Sequence, residues 1–356
     1  MTQLKGYLPK DFDVFIGLDV DKKSYVLAVR GSDSMSRPIR MPSNPRMLLD
    51  YINKHHKGKR VICAYETGPT GFGLYDYLTE CGVPCLVVSP FSIPKATNET
   101  AKTNRIDAKK IAEYLHYGKL KSVVVPKGKY RDLRHLARIR EKYVRMRVKT
   151  KQRIKALLLQ ESLYESLKDE KNAWTGEYVL KLKEINTTDA VRYRLDTLIT
   201  DLEYSRTQLL AACRKLKDFC KLHPEINKYK TFLKSIPGIG FIIAITILAK
   251  IGDPLQLKRI RQLAAFTGMI PWEKSTGDTE NKGTITHMGN KILRTLLVEA
   301  AWAAIRKDAR LRQFYFRIKT RNHPKAASRK AIVAVARKMT HIIYRVLTDQ
   351  RMYVLQ

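Results

Sequence analysis

Two β-rich runs, VFIGLDV (14–20) and SYVLAVR (24–30), are separated only by the polar residues Asp21–Lys23. Branched and aromatic side chains favour extended backbone, and so short a polar link leaves room for little but a tight turn. A third short strand is expected at PIRM (38–41), which completes a meander. The pattern then alternates: a helix at about 46–56, VICAYE (61–66), a helix near 71–81, CLVVS (85–89) and a helix from about 105 to 117. A meander continued by strand–helix units implies an α/β domain, a mixed sheet with helices on its faces, over residues 1–126.

Beyond Tyr130 the period changes. One long helix is expected to about Gln160, with Leu133, Ala137, Val144, Val148, Ile154, Leu157 and Leu158 as its apolar stripe. Its other faces are crowded with cations, Arg134, Arg138, Arg145, Lys149 and Arg153 among them. A second such segment, about 189–222, places Leu195, Leu198, Ile199, Leu202, Leu209 and Leu210 along one side. Two long amphipathic helices with a polar interruption predict a long antiparallel coiled-coil arm over 127–228. Here the charge balance matters: 68 Lys and Arg against 33 Asp and Glu leave a formal charge of +35. Such an excess calls for a polyanionic partner, and a helix this densely cationic is read as a nucleic-acid contact.

Residues 229–356 read as all-α. SIPGIG (235–240) breaks the chain before a long apolar helix, the pattern of a helix-hairpin-helix. Gly238 and Gly240 would there let backbone N–H groups approach a phosphate. A helix ending near Gly268 precedes a polar loop, WEKSTGDTENKGTITHMGN (272–290), and helices follow at about 291–306 and 325–348. Five cysteines form no disulfide or zinc pattern, and no apolar run is long enough to cross a bilayer. A cytoplasmic protein with no membrane association is expected.

Three carboxylates fall where such a mixed sheet can use them. Asp19 lies in the first strand at the end of its apolar run, Glu66 ends a later one before the Thr67-Gly68-Pro69 turn, and Asp107 opens a helix. In a ribonuclease-H-like fold these places converge, and hard oxygen donors on rigid elements suit Mg²⁺. Asp21 competes with Asp19, although it reads as a turn residue. The polar loop holds a different chemistry: Ser275 and Thr276 beside Gly277, with Lys282, His287 and Lys291 downstream. A hydroxyl next to glycine can reach a phosphate unobstructed, given a metal or cations to stabilise the charge that develops.

Taken in order, GLDV (17–20), YETGPTGFGL (65–74), KTNRIDA (102–108), SIPGIG (235–240), QLAAFTGMIP (262–271), KSTGD (274–278) and ITHMGNKILRTLL (285–297) resemble the DEDD transposases of insertion sequence family 110. That family includes the pilin-gene invertase and the bridge-RNA-guided recombinases. The resemblance implies a RuvC-like domain, a coiled-coil arm and a C-terminal transposase domain with a nucleophilic serine. It further implies four acidic ligands for Mg²⁺, target and donor DNA as substrates, a guide RNA, and a tetramer with composite sites. Two departures stand out. The third acidic position falls on Asn104 and the fourth on Asp107, and Thr276 stands where many members have the serine, so Ser275 is the first choice for nucleophile and Thr276 the second. Two other readings stay open: a RuvC-like nuclease that hydrolyses DNA junctions without a serine, and a non-catalytic nucleic-acid-binding copy in which Asn104 marks lost metal affinity.

Overall fold

The computed structural model describes residues 7–90, 93, 104–164, 174–257, 259–273, 282–286 and 288–355. The chain divides into two compact units, residues 1–125 and 126–356.

The first unit is a five-stranded mixed sheet. Its elements are β1 (Val14–Val20), β2 (Ser24–Arg30), β3 (Ile39–Pro42), α1 (Pro45–His55), β4 (Val61–Glu66), α2 (Gly73–Glu80), β5 (Cys85–Val88) and α3 (Asn104–His116). The strand order is β3-β2-β1-β4-β5. β1, β2 and β3 pair antiparallel, while β4 runs parallel to both β1 and β5. The expected meander and strand–helix units are therefore both present. The two edges differ. β3 is four residues long and ends in Pro42, with Arg40 Nε donating to Ser24 Oγ at 3.1 Å. β5 is bordered by the strap at Ser122–Val123, where Val123 N–H donates to the Val87 carbonyl at 2.7 Å.

Alternation along β1 splits the core between the two faces of the sheet. Val14, Ile16 and Leu18 pack with Leu48 and Ile52 of α1 and Leu74 and Leu78 of α2. Phe15 points the other way, to Ile111 and Leu115 of α3, with Ile62, Ala64, Leu86 and Val88. Val26 and Ala28 of β2 meet Ala108 and Ala112 on that same face. Between them lies Gly17. A Cβ there would sit 2.2 Å from the Ala108 carbonyl oxygen and 2.3 Å from the Ala112 nitrogen. Helix backbone thus rests directly on strand backbone, and α3 can pack this closely only because Gly17, Ala108 and Ala112 are small.

The second unit is helical: α4 (Lys129–Gln160), α5 (Gly176–Glu184), α6 (Asp189–Leu222), α7 (Pro224–Lys234), α8 (Phe241–Ile251) and α9 (Ile260–Thr267) precede a short hairpin. The hairpin strands are β6 (Pro271–Glu273) and β7 (Lys282–Ile285), followed by α10 (Lys291–Lys307), α11 (Ala309–Thr320) and α12 (Pro324–Thr348). α4 and α6 pair antiparallel. The far end of α4, Ile154, Leu157 and Leu158, packs on Leu195, Ile199 and Leu202 near the start of α6. Leu133 and Ala137 share a core with Leu216 and Cys220, together with Leu233, Leu248 and Val335.

The expected stripes need correction in detail. Val148 and Leu210 are exposed, whereas Glu141, Thr150 and Ser205 are buried. The interruption between the long helices contains α5, whose Tyr178 and Leu182 join the core. The loop expected at 272–290 is in part a β-hairpin, because Pro271 and Glu273 pair with Ile285 and Lys282. All five cysteines are free. Among the described residues no helix is long and apolar enough to cross a membrane.

Gly17→Val is expected to destabilise the protein by about 3 kcal/mol or more, since the added atoms meet backbone that cannot rotate away. Urea unfolding followed by circular dichroism checks this, with Gly31→Ala as an innocuous control, since nothing but the Ser34 carbonyl lies within 4 Å of its Cβ position.

Candidate functional site

The register of the central strands brings two of the predicted carboxylates together. β1 pairs with β4 through Leu18↔Tyr65, so the next residues, Asp19 and Glu66, are neighbours at the ends of adjacent parallel strands. By alternation Asp19 shares its face with Gly17 and Phe15, and Glu66 shares its face with Ala64 and Ile62. That is the face covered by α3.

The helix direction supplies the rest. Phe15 packs against Ile111, Leu115 and, edge-on at 4.9 Å, His116, whereas Gly17 abuts Ala108 and Ala112. α3 therefore runs opposite to β1, and its first turn, with Asn104 and Asp107, lies toward the Asp19 end of the strand. Asp107 is half-buried and Asn104 exposed. Asp21 stays in the turn, where its Oδ1 accepts from Lys22 N–H at 2.6 Å. Carboxylate and amide oxygens at one sheet end match in chemistry what a hard divalent cation binds. They do not form a closed ligand group, however: among the described residues no set of three or more His, Cys, Asp or Glu side chains is placed to hold a metal ion.

The other candidate site is the hairpin. β6 and β7 are joined by residues 274–281, and Ser275 and Thr276 lie outside the described residues, as does His287. The base of the hairpin is tightly held. Thr286 N–H donates to the Ile270 carbonyl at 2.9 Å and Asn290 N–H to the Phe266 carbonyl at 2.7 Å. Gly289 is required there, because a Cβ would lie 2.5 Å from Gly268 N. Asn290 caps α10 by accepting from Leu293 N–H at 3.0 Å, and Lys291 is exposed in its first turn. Lys282 opens β7.

The cationic residues of α4 have different surroundings. Arg138, Arg145, Lys149 and Arg153 are exposed. Arg145 lies 3.6 Å from Glu141 but keeps most of its side chain in solvent. Arg134 instead turns inward, donating from Nε to the Ala249 carbonyl at 2.9 Å and from Nη2 to the Lys250 carbonyl at 2.8 Å. It satisfies the end of α8, where helix carbonyls lack partners of their own. Burial, then Arg138 and Arg131, lower its pKa. Two turns on, Glu141 meets Lys250 at 2.8 Å, their side chains only 10% and 12% exposed. Nearer the start of α4, Lys129 and Tyr130 both donate to Glu225.

The two glycines of SIPGIG also part ways. Gly238 has φ +83°, and a Cβ there would lie 2.1 Å from the Ala300 carbonyl oxygen, so it is the contact point between the turn and α10. Gly240 is exposed at the start of α8 with nothing packed on it. The Glu141–Lys250 pair had no advance signal beyond an acid in the middle of a cationic helix.

Two transposase family models match the chain, the first running past the boundary between the two units. Residues 16–162 match the model of DEDD transposases of the IS110 type, and residues 230–316 match that of the transposase IS116/IS110/IS902 family. The chain is 30% identical over 305 residues to the transposase-named y4qE protein of Sinorhizobium fredii, covering 82% of this chain and 71% of the relative. It is 28% identical over 282 residues to the transposase for insertion sequence element IS1111A of Coxiella burnetii, covering 76% and 73%. With the transposase for IS1533 of Leptospira borgpetersenii the identity is 23% over 300 residues, covering 81% and 84%.

Breaking the buried pair one-sidedly should be costly. Lys250→Met is expected to lose about 3–5 kcal/mol, because Glu141 keeps a buried charge without its close partner. The double variant Glu141→Leu/Lys250→Met should recover most of that loss, as equilibrium denaturation of the three proteins would show.

Proposed function

The chain belongs to the IS116/IS110/IS902 family of transposases and is a DNA transposase, an enzyme of phosphoryl transfer; from that premise we propose that it moves an insertion sequence by Mg²⁺-dependent transesterification through Ser275. The observation that most supports a catalytic RuvC-like domain is the pairing of Asp19 and Glu66 at adjacent strand ends beneath the first turn of α3. Transposases of the DEDD kind are typically divalent-metal dependent.

Asp19, Glu66, Asp107 and the amide oxygen of Asn104 would hold the ion. When bound, Mg²⁺ supplies positive charge against the phosphate oxygens as negative charge builds there. Asn104 contributes an oxygen donor but no charge, so affinity is lower than four carboxylates would give. The Ser275 hydroxyl attacks a DNA phosphorus: the Oγ–P bond forms, the P–O bond to one deoxyribose breaks, and the hydroxyl proton ends on the departing sugar oxygen. The product is a serine phosphodiester that keeps the energy of the broken link, and attack by another strand's hydroxyl reverses the step. Lys282 and Lys291 flank this chemistry and hold the DNA backbone.

The exposed cations of the α4 face, Arg138, Arg145, Lys149 and Arg153, are assigned to nucleic acid, and Arg134 to holding α4 on α8. In this reading residues 127–228 act as a coiled-coil arm and 229–356 as the domain carrying the nucleophile. Gly240 at the start of α8 is the part of the helix-hairpin-helix open to phosphate. A structured bridge RNA from the element would select target and donor DNA, which suits a very basic protein, and the active form would be a tetramer in the cytoplasm.

Two experiments test the reading. Incubation with labelled element-end DNA should trap a covalent protein–DNA adduct in the native protein and in Thr276→Ala but not in Ser275→Ala; normal recombination by Ser275→Ala removes the nucleophile assignment. Calorimetric titration with Mg²⁺ should show weak binding that tightens at least about tenfold in Asn104→Asp and vanishes in Asp107→Asn. Metal binding and adduct formation confined to Asn104→Asp would instead favour a non-catalytic copy.

A further inference from the structure

At the end of the sheet opposite Asp19 and Glu66, the parallel strands β1, β4 and β5 begin together around a cleft of about 690 Å³. Its walls are the last turn of α1, the turn at 56–60 and the turn that enters β5. One side is apolar, with Phe12, Ile52, Val61, Val83 and Pro84. The rim is cationic, with Lys57, Lys59 and Arg60, and it carries one acid, Asp11. Arg60 is already committed. Its Nη2 donates to Asp13 Oδ1 at 2.8 Å and its Nε to Oδ2 at 3.2 Å, which holds the pKa of Asp13 down at about 2. Lys57 and Lys59 are exposed and remain for an incoming group. His56 is a second, independent sign of a ligand. It lines the cleft, yet neither Nδ1 nor Nε2 has a hydrogen-bond partner and both are shut off from solvent. Burial, then Lys59 and His55, lower its pKa, so at pH 7 the ring is neutral and offers one donor and one acceptor. A buried polar group without a partner is costly, and a ligand seated against it would supply what is missing.

We infer that this cleft binds a nucleoside monophosphate unit, its phosphate at Lys57 and Lys59 and its base against the apolar side. Clefts of roughly 300–1,000 Å³ with a few placed polar groups are the usual seats of small molecules. A phosphate alone would use the lysines but leave most of the space unfilled, and a purely apolar ligand would leave the lysines and His56 unused. A nucleotide joins the two requirements. The faces of its base are apolar, its base edge carries donors and acceptors for the Asn53 amide and His56, and its ribose hydroxyls can donate to Asp11. Asp11 also sets the polarity of the ligand, since it repels phosphate from its own part of the rim. The unit can be a free nucleotide or the 5′-phosphorylated end of a nucleic-acid strand, because the chemistry at the cleft is the same. The inference does not rest on the serine and metal chemistry proposed above, whose carboxylates lie at the other end of the same strands.

Calorimetric titration of the full chain with AMP, adenosine and inorganic phosphate tests the cleft. AMP should bind at least about tenfold tighter than either fragment. Lys57→Gln/Lys59→Gln should weaken AMP binding at least about tenfold. Lys23→Gln/Lys54→Gln removes the same charge from exposed positions outside the cleft and should leave the affinity unchanged. Asn53→Trp brings an indole into the cleft from an exposed position on α1 and should abolish AMP binding; the lysine pair serves if that variant folds poorly. AMP binding no tighter than phosphate, or native affinity in the Lys57→Gln/Lys59→Gln variant, would overturn the site. So would an equal loss in the Lys23→Gln/Lys54→Gln control, which would mark attraction by overall charge alone. A single-stranded oligonucleotide with and without a 5′-phosphate, followed by fluorescence anisotropy, separates the two sources. A preference for the phosphorylated strand that disappears in Asn53→Trp assigns the cleft to a strand end, and AMP binding without that preference assigns it to a free nucleotide.

Discussion

Everything placed at the carboxylate end of the first unit depends on one backbone-to-backbone contact. Gly17 lets α3 lie on β1 with no side chain between them. That contact fixes the height of the helix above the sheet, and its small partners, Ala108 and Ala112, fix where along the strand it sits. Asn104 and Asp107 precede Ala108 in the same helix by four residues and one, so their position relative to Asp19 follows from that packing. The placement of these carboxylate and amide groups is thereby tied to the apolar core, because they sit on elements whose position the core already determines. Such coupling is the usual way rigid elements hold polar groups within the narrow tolerances that chemistry needs.

A second constraint is electrostatic. In a chain of +35 charge, most cations face water, where mutual repulsion is screened. Arg134, half-buried, and the nearly buried Lys250 turn inward instead. One is neutralised by the carbonyl end of a helix and the other by a buried carboxylate, and together they bind α4 to α8. The long cationic helix is thus anchored at its root by groups withdrawn from the surface, while its exposed residues remain available to a polyanion.

The sheet was legible in the sequence because its strands are short, apolar and separated by polar turns, from VFIGLDV to CLVVS. The ends of those strands pointed to Asp19 and Glu66, but not to their adjacency, which depends on the parallel register between β1 and β4. No local pattern encodes that. The long helices were equally plain, yet the polar residues Glu141, Thr150 and Ser205 lie buried, Glu141 against Lys250, far along the chain. The short helices α5, α7 and α11 have too few apolar turns to stand out, and the hairpin's two strands span three and four residues. Gly238 is instructive in the same way. It looked like a place for phosphate, but its missing side chain is explained by the Ala300 carbonyl pressed against it.

The edges of the five-stranded sheet carry a consequence for assembly. On one side β3 is brief and stops at a proline, a residue with no N–H to offer a further strand. On the other, the Ser122–Val123 strap occupies part of the hydrogen-bonding rim of β5. A sheet finished off in this way resists lengthening by a strand from another molecule, the commonest route by which β proteins coalesce. Crowding many copies onto one stretch of nucleic acid would raise their local concentration sharply, and these finished edges let the protein tolerate that without its sheets fusing.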